Sequence, residues 1–567
     1  MILYKNIPEI SEIQGRRNKT RRSFFGRVYT KKHVLDQKEK VVKNNDLEDA
    51  KKVVPSLNKL EASATLGEYY KKMTENVKPL NLKDVDQKTM LWAVAVETRR
   101  LYGSKRRAAV AATLLKFPVV ESGVHNSFLR DIGNPGKGLD SLDPWFNQSV
   151  YISAVLGSIP GGGYGEHISL QSSMVSMNNE NSAGYYQIGE VIFPVGSQKT
   201  VGLVGYKFKG VEPDIVDIAT KIAKLFRLRA NLDTSKYSTV MQKITSLLAP
   251  VDSGGINAET MAKVKKNYEN SSQKNLDALD MVMAEAIDTD DIDREAALLK
   301  QSFEATDVLD DQAALHQSAL VSDVLKNVNH TSVEVTRVVN NFLVKSLKKQ
   351  NSFMYRVFSD TDKLKKFCND LAGVRAGWGE GESPFNKLVQ TSKGLRMESL
   401  RLDEFPHTIK EITARIKDGK IVPSTIMTMV SCLIAGVLSH GQFFQSSYAP
   451  DIQSRLVKFM REIGEPSDRI NRVGGQNTDL NLAVVALRDN DGVPLRPSQI
   501  AKLGPEEFAK IPMLPGKDVV KNTATPLMQC LESTDSEFIK SQLARNALAQ
   551  QHQLQTQFCR DANAKSA

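Results

Sequence analysis

The sequence from Val150 to Phe208 is VYISAVLGSIPGGGYGEHISLQSSMVSMNNENSAGYYQIGEVIFPVGSQKTVGLVGYKF. Four runs within it are rich in β-branched and aromatic residues and are bounded by Gly, Pro, Asn or Ser, which predicts strands. These runs are Val150–Leu156, His167–Ser176, Tyr185–Phe193 and Thr200–Phe208. The last two flank a loop from Pro194 to Lys199, and this arrangement predicts an antiparallel hairpin.

Helical periodicity dominates most of the remaining chain. The longest apolar run, Ile426–Leu438, is shorter than the ~20 residues that a bilayer requires, so it predicts a buried helix within Ser424–His440 rather than a membrane span. We therefore expect an α+β fold that is predominantly helical. Its small antiparallel sheet, at about residues 150–208, packs with helices and precedes a large helical region and extended terminal arms.

The length of 567 residues allows several domains, at roughly 150 residues for each. Changes in charge and in proline content suggest where the boundaries fall. The predicted units are a basic flexible arm (1–45), a mixed α+β domain (46–210), a mainly helical domain (211–490), and an extended Pro-rich segment with a C-terminal helical arm (491–567).

Positive charge is concentrated at the N-terminus. Residues 1–45 hold twelve Lys or Arg and four acids, in a chain whose net charge is +11. Cations with interleaved aromatic rings can neutralise phosphates and stack on unpaired bases, which makes nucleic acid the first candidate partner. Docking on an acidic protein surface, and a localisation or solvating tail, are the alternatives. The candidate nucleic-acid-binding residues are Arg16, Arg17, Lys19, Arg21, Arg22, Phe24, Phe25, Arg27, Lys31 and Lys32.

Negative charge is concentrated in the middle of the chain. Residues 277–311 hold twelve acids and only two cations. One interpretation is a docking surface for the basic arm of a neighbouring copy, through Asp288, Asp290, Asp291 and Asp293. A divalent metal site at Asp288–Asp293 is a second, although no register matches an EF-hand loop, and a solvated helix face is the third.

Two further groups of cations stand out in the sequence, and the first of them has both a phosphate-binding and a solvated interpretation. The first group surrounds Gly103, where we expect a bend, and comprises Arg99, Arg100, Lys105, Arg106 and Arg107. The second combines cations with aromatic residues and comprises Lys345, Lys348, Lys349, Phe353, Tyr355, Arg356 and Phe358.

The C-terminal segment is rich in proline between Pro494 and Pro526 and then becomes amphipathic. Ile539, Leu543, Leu554 and Phe558 lie on one stripe of a predicted helix within Asp535–Phe558. Such a helix after an extended linker suits binding to a partner, and packing on its own chain is equally compatible with the pattern.

No catalytic signature is visible in the sequence. P-loop, nucleophile-elbow, kinase and zinc-protease motifs are absent, the eight histidines are scattered, and the four cysteines form no C-x-x-C pair. We therefore expect no cofactor and no catalytic residue, and we favour a non-enzymatic role. The cysteine usage and the lack of a signal-like start suggest a reducing, intracellular location, the host cytoplasm or a virion if the protein is viral, without a membrane partner.

These features favour a non-enzymatic structural protein that self-assembles. A virus or phage capsid, nucleocapsid or other shell component fits best, with copies of itself and RNA or DNA as partners. One alternative is a metal-dependent enzyme that acts on nucleic acid through Asp288–Asp293. The other is an intracellular adaptor that docks on acidic protein surfaces.

Overall fold

The structure is a computed structural model. It describes residues 65–123, 165–171, 185–188 and 191–194, most of residues 217–322, residues 328–478 with three short gaps, and the single positions 157 and 510. The predicted N-terminal arm, the C-terminal helix and the predicted strands Val150–Leu156 and Thr200–Phe208 lie outside these residues.

Helices predominate, and small sheets accompany them, which confirms the predicted α+β class. The helices are α1 Leu66–Thr74, α2 Val85–Lys116, α3 Ser238–Gly254, α4 Ala258–Glu269, α5 Gln273–Ala286, α6 Asp290–Ala305, α7 Val335–Ser346, α8 Phe353–Phe358, α9 Thr361–Asp370, α10 Ile409–Lys417, α11 Thr425–Ala435, α12 Phe443–Glu462 and α13 Ser467–Gly474. The strands are β1 Val119–Gly123, β2 His167–Gln171, β3 Tyr185–Ile188, β4 Val191–Pro194, β5 His330–Glu334, β6 Glu382–Thr391, β7 Gly394–Arg401, β8 Ile421–Pro423 and β9 Leu438–His440.

The largest sheet among the described residues is parallel and has the order β5-β2-β1-β9. The prediction that His167–Ser176 belongs to a local antiparallel sheet is therefore wrong. Its pattern identifies a strand, but the partners come from segments far away in the sequence, on both sides of the boundary predicted at residue 210. Parallel neighbours require such long connections, and strand periodicity carries no information about them.

A hairpin interrupts the single strand predicted for Tyr185–Phe193, and most of the hairpin predicted around the loop Pro194–Lys199 lies outside the described residues. Strands β3 and β4 pair antiparallel with Ile188 opposite Val191, so the turn falls inside the single strand that was predicted for Tyr185–Phe193. Only Gly189 and Glu190 separate the two strands, and glycine is favoured in two-residue hairpin loops. A third sheet, with the order β7-β6-β8, is antiparallel.

One hydrophobic core joins the parallel sheet to the surrounding helices. Ile168 and Leu170 from β2 lie in the same core cluster as Trp378 and the apolar residues of α2, α7, α11 and α12. Helix α11 is almost wholly buried, as predicted. It ends at Ala435 because Gly436 adopts a left-handed conformation (φ 69°), and the chain then forms β9 instead of continuing the predicted helix to His440.

Helix α2 consists of two helical segments on either side of Gly103, whose φ of 81° and ψ of −176° are not helical. The predicted bend is confirmed. Asp84 caps the N-terminus of the helix, because its carboxylate accepts hydrogen bonds from the backbone N–H groups of Asp86 and Gln87. Its first half packs against α7 and the turn that follows α7.

Candidate nucleic-acid interface

The parallel sheet has one apolar face and one polar face. Val120, Ile168, Leu170 and Val333 lie on the apolar face, in the core. Because residues that pair in register share a face, the opposite face carries polar side chains from all four strands. These are Glu121, His167, Ser169, His330, Ser332 and His440, all of them buried.

Three histidines that are far apart in the sequence meet on this polar face. The Nδ1 atoms of His167 and His330 are 2.8 Å apart, and the ring centroids of His167 and His440 are 6.0 Å apart. Burial lowers the pKa of His330 and of His440 to about 3. Burial and the two neighbouring imidazoles also hold the pKa of His167 well below its ordinary value. The three rings are therefore neutral at pH 7.

Glu121 lies beside His440 on the neighbouring strand. Burial raises the pKa of its carboxyl to about 8, although the Ser169 hydroxyl donates to Glu121 Oε2 over 2.7 Å and opposes the shift. The carboxyl is consequently mostly protonated at pH 7. Histidines and a carboxylic acid can carry out acid-base chemistry, but each of these four side chains belongs to a residue at most 3% exposed. The cluster is closed to a macromolecular ligand.

A second polar network, whose carboxylates are buried and whose arginines are partly exposed, anchors α2 to the sheet and to residues 311–318. Arg100 forms bidentate ion pairs with Glu97 and Asp311, at 2.5 Å for the shortest contact to each. The Tyr102 hydroxyl donates to the carbonyl of Ser332 and contacts the Ser318 hydroxyl. Burial raises the pKa of Tyr102. Arg106 pairs with the buried Glu166, which also accepts from Thr331.

These contacts separate the cations around Gly103 into those that pair with buried carboxylates and those that are exposed. Arg100 and Arg106 hold the fold together through buried carboxylates, so they are not free for phosphates. Arg99, Lys105 and Arg107 are exposed.

The second group, which combines cations with aromatic residues, also contains both buried, paired residues and exposed ones. Arg356 pairs with Glu465, and Phe353 and Phe358 are buried in the core. Tyr355 is half-buried, and the three lysines of that group remain at the surface or close to it.

The exposed charge on α2 is entirely positive. Its two acids, Asp86 and Glu97, are buried, whereas Lys88 and Arg99 are exposed. Trp92 and Val96 are also exposed, at 37% and 36%. The spacings of four, four and three residues place Lys88, Trp92, Val96 and Arg99 on one side of the helix.

Helix α7 and the turn after it bring Lys345 and Lys349 to this side, and the exposed Lys348 lies in the same turn. Lys345 Nζ lies 3.4 Å from the centroid of the Trp92 ring, and Lys349 Nζ donates to Thr89 Oγ1 of α2 over 3.1 Å. Partial burial lowers the pKa of Lys345, and the charges of Lys349 and Lys88 add to this effect. Like charges are thus crowded together around an exposed indole.

We call this surface the Trp92 face, formed by Lys88, Trp92, Val96, Arg99, Lys345, Lys348 and Lys349. Within the part of the chain that the structure describes, none of its lysines forms an ion pair with a carboxylate. Crowded cations without counter-charges attract an anion, and an exposed indole offers a flat surface to an aromatic group. The Trp92 face therefore has the chemical properties of a surface that binds nucleic acid.

The acidic residues singled out in the sequence fall partly on α6. Asp290 begins this helix, Asp291 follows, and Asp293 forms an ion pair of 2.7 Å with Lys224 of the same chain. Asp288 lies outside the described residues. Among those that are described, no group of three or more His, Cys, Asp or Glu side chains could hold a metal ion.

The candidate residues in the two predicted arms lie outside the described residues. This applies to Arg16, Arg17, Lys19, Arg21, Arg22, Phe24, Phe25, Arg27, Lys31 and Lys32, and to Ile539, Leu543, Leu554 and Phe558. Their assignment stays a prediction.

Two features escaped the sequence-based reasoning. The sequence contains one weak indication of the histidine cluster. The pentapeptides HISLQ and HTSVE share a His-x-Ser-apolar pattern, and they form the neighbouring strands β2 and β5. Trp92 lies among apolar residues at helical spacing, and tryptophan in such a pattern normally indicates the core. Its proximity to Lys345, 253 positions further along the chain, appears only in three dimensions.

Comparisons of the chain with protein families, with curated proteins and with solved structures find no match. Within the described part of the chain, no helix combines the length and the apolar character that crossing a bilayer needs.

Proposed function

We propose that this protein is a non-enzymatic structural protein that binds nucleic acid and assembles with copies of itself, as a viral capsid, nucleocapsid or shell component would. The observation that carries the nucleic-acid part is the Trp92 face, where crowded lysines without carboxylate partners surround an exposed indole. The cationic sequence of residues 1–45 supports the same partner, because it repeats the combination of Lys and Arg with aromatic residues.

The assembly part of the proposal depends on charge distribution. The N-terminal arm is strongly cationic and the 277–311 block is strongly anionic, so arms that reach neighbouring copies would join opposite charges. The extended Pro-rich segment and the C-terminal amphipathic helix would provide a second contact between copies. In this proposal, the terminal arms are extended and the compact part of the fold presents the Trp92 face.

Salt-dependent binding of a labelled single-stranded oligonucleotide tests the nucleic-acid part. The triple variant K345Q/K348Q/K349Q removes three phosphate partners, so we expect weaker binding and a salt slope that is shallower by about 2. The matched control, K410Q/K417Q/K420Q, removes three exposed lysines on or just after α10 and should bind as the unchanged protein does. Equal loss in both variants would show that only total charge matters and would remove the Trp92 face from the proposal.

Light scattering tests the assembly part. We expect the full chain to form large species at low salt that become smaller when residues 1–45 are deleted or when salt is raised. The variant K410Q/K417Q/K420Q serves as a comparison, because it lowers the net positive charge without removing the cationic arm, and it should assemble as the unchanged protein does. A monodisperse monomer at low salt, whether or not residues 1–45 are present, would contradict self-assembly.

A further inference from the structure

We propose that Trp92 stacks on an unpaired base, so that the Trp92 face selects single-stranded nucleic acid over duplex. This inference rests on the proposed function and specifies its ligand. The lysines of this face by themselves would not distinguish the two forms, because both forms present a phosphate backbone.

The geometry around Trp92 provides both components of a single-strand site. The indole is 37% exposed, and Lys345 Nζ is 3.4 Å from its ring centroid. An ammonium ion over an indole gains only a weak cation–π interaction where water still reaches both groups. Lys345 can therefore leave the ring for a phosphate at little cost, which gives an incoming base access to the ring face.

The lysines around the ring are placed to contact the phosphates on either side of a stacked base. Lys88 lies one helical turn before Trp92 on α2, and Lys349 is fixed against α2 by its hydrogen bond to Thr89. Lys345 and Lys348 belong to the adjoining end of α7 and the turn that follows it. No acidic side chain is exposed on α2, so a strand that follows this helix meets only positive charge.

A duplex would use the lysines but not the ring. Its base faces are covered by neighbouring base pairs, so an indole on a helix surface reaches only the backbone and groove edges. An unpaired base, by contrast, offers its whole face, and stacking on an aromatic side chain strengthens binding by roughly 5- to 150-fold for one base. Trp92 thus determines the preference between the two forms, and the lysines determine the salt dependence.

Fluorescence anisotropy with the full-length protein tests this inference. The probes are a 5′-labelled 12-nucleotide oligothymidylate and a 12-base-pair duplex, each measured at two salt concentrations. For W92A we expect the affinity for the single strand to fall at least 5-fold while that for the duplex changes less than 2-fold. W92F keeps a stacking ring and should recover most of the lost affinity. A matched control, M281A, shortens an exposed apolar side chain of α5, outside the Trp92 face, and should leave both affinities unchanged.

The outcomes separate this inference from the proposed function. If unchanged protein binds neither probe, the proposed function fails. If it binds both but W92A weakens both equally or neither, the lysine surface stands and the stacking inference is overturned. If W92A and W92F lose the same single-strand affinity, the indole does not act by stacking, which also overturns the inference.

Tryptophan emission gives a second readout that a merely structural role would not change. The difference between the emission of unchanged protein and that of W92F isolates the Trp92 signal. We expect the oligothymidylate to quench this difference signal and inorganic polyphosphate, which has the charge but no bases, to leave it unquenched. Equal quenching by both polymers would show a response to charge alone and would overturn the inference.

Discussion

Replacing Glu121 by Gln should make the protein more resistant to unfolding at neutral pH, with a benefit that fades on acidification. Glu121 is 3% exposed, and burial raises its pKa to about 8 from an ordinary 4.5. Gln has nearly the same shape, and its carbonyl can still accept the hydrogen bond from the Ser169 hydroxyl. The variant therefore removes only the need to keep a carboxyl protonated.

Proton linkage sets the sign of this change in the free energy of unfolding with pH. A carboxyl whose folded pKa is raised contributes stability below its unfolded pKa of about 4.5 and loses it as pH rises through about 8. Each pH unit in this interval corresponds to ~1.4 kcal/mol. Glu121 therefore costs about 3 kcal/mol at pH 7 and about 1 kcal/mol at pH 5, relative to a group that does not titrate. The advantage of Gln should accordingly shrink by about 2 kcal/mol between these pH values.

Urea unfolding of both proteins at half-unit steps from pH 4.5 to pH 8 measures this difference. Trp378 is a suitable reporter, because it is 3% exposed and lies in the same core cluster as the apolar face of the sheet. Subtracting the two curves cancels all the titrating groups that the proteins share. A stability difference that does not vary with pH would show that Glu121 is already ionised in the folded protein and would refute the reasoning.

Three other perturbations test separate parts of the fold. The pKa of His440 falls to about 3 from 6.5 on folding, so the free energy of unfolding decreases as pH drops below 6.5. Between pH 7 and pH 5, the unchanged protein should therefore lose about 2 kcal/mol more stability than the variant His440→Gln, as measured in the same urea assay. Arg469→Met should cost about 3–5 kcal/mol, because it leaves the buried Asp86 without its ion-pair partner at 3.1 Å, and a loss under 1 kcal/mol would contradict the importance of this pair. Gly436→Ala should cost about 1–2 kcal/mol through its left-handed backbone, as measured by thermal unfolding, and an unchanged midpoint would argue against the φ of 69°.

The sequence alone predicts those features that depend on residues close together in the chain. The bend of α2 was predictable because Gly103 interrupts a helical pattern. The burial of α11 was predictable because its sequence is apolar on every side, and the predominance of helix followed from the 3.6-residue spacing of apolar residues.

Contacts between residues far apart in the sequence determine the parallel sheet and the histidine cluster. Strand periodicity identifies His167–Gln171 as a strand, but it does not reveal that the partners come from residues 119–123 and 330–334, so the parallel sheet and its buried histidines were missed.

The same limit applies to the candidate interface. The amino-acid sequence determined where the cations are and that some of them accompany aromatic residues. Arg100 and Lys345 look equivalent in sequence, yet one is held by the carboxylates of Glu97 and Asp311 and the other lies over an exposed indole. Only the tertiary structure separates them, because the availability of a charge depends on which side chains meet it in space and on how much water it keeps.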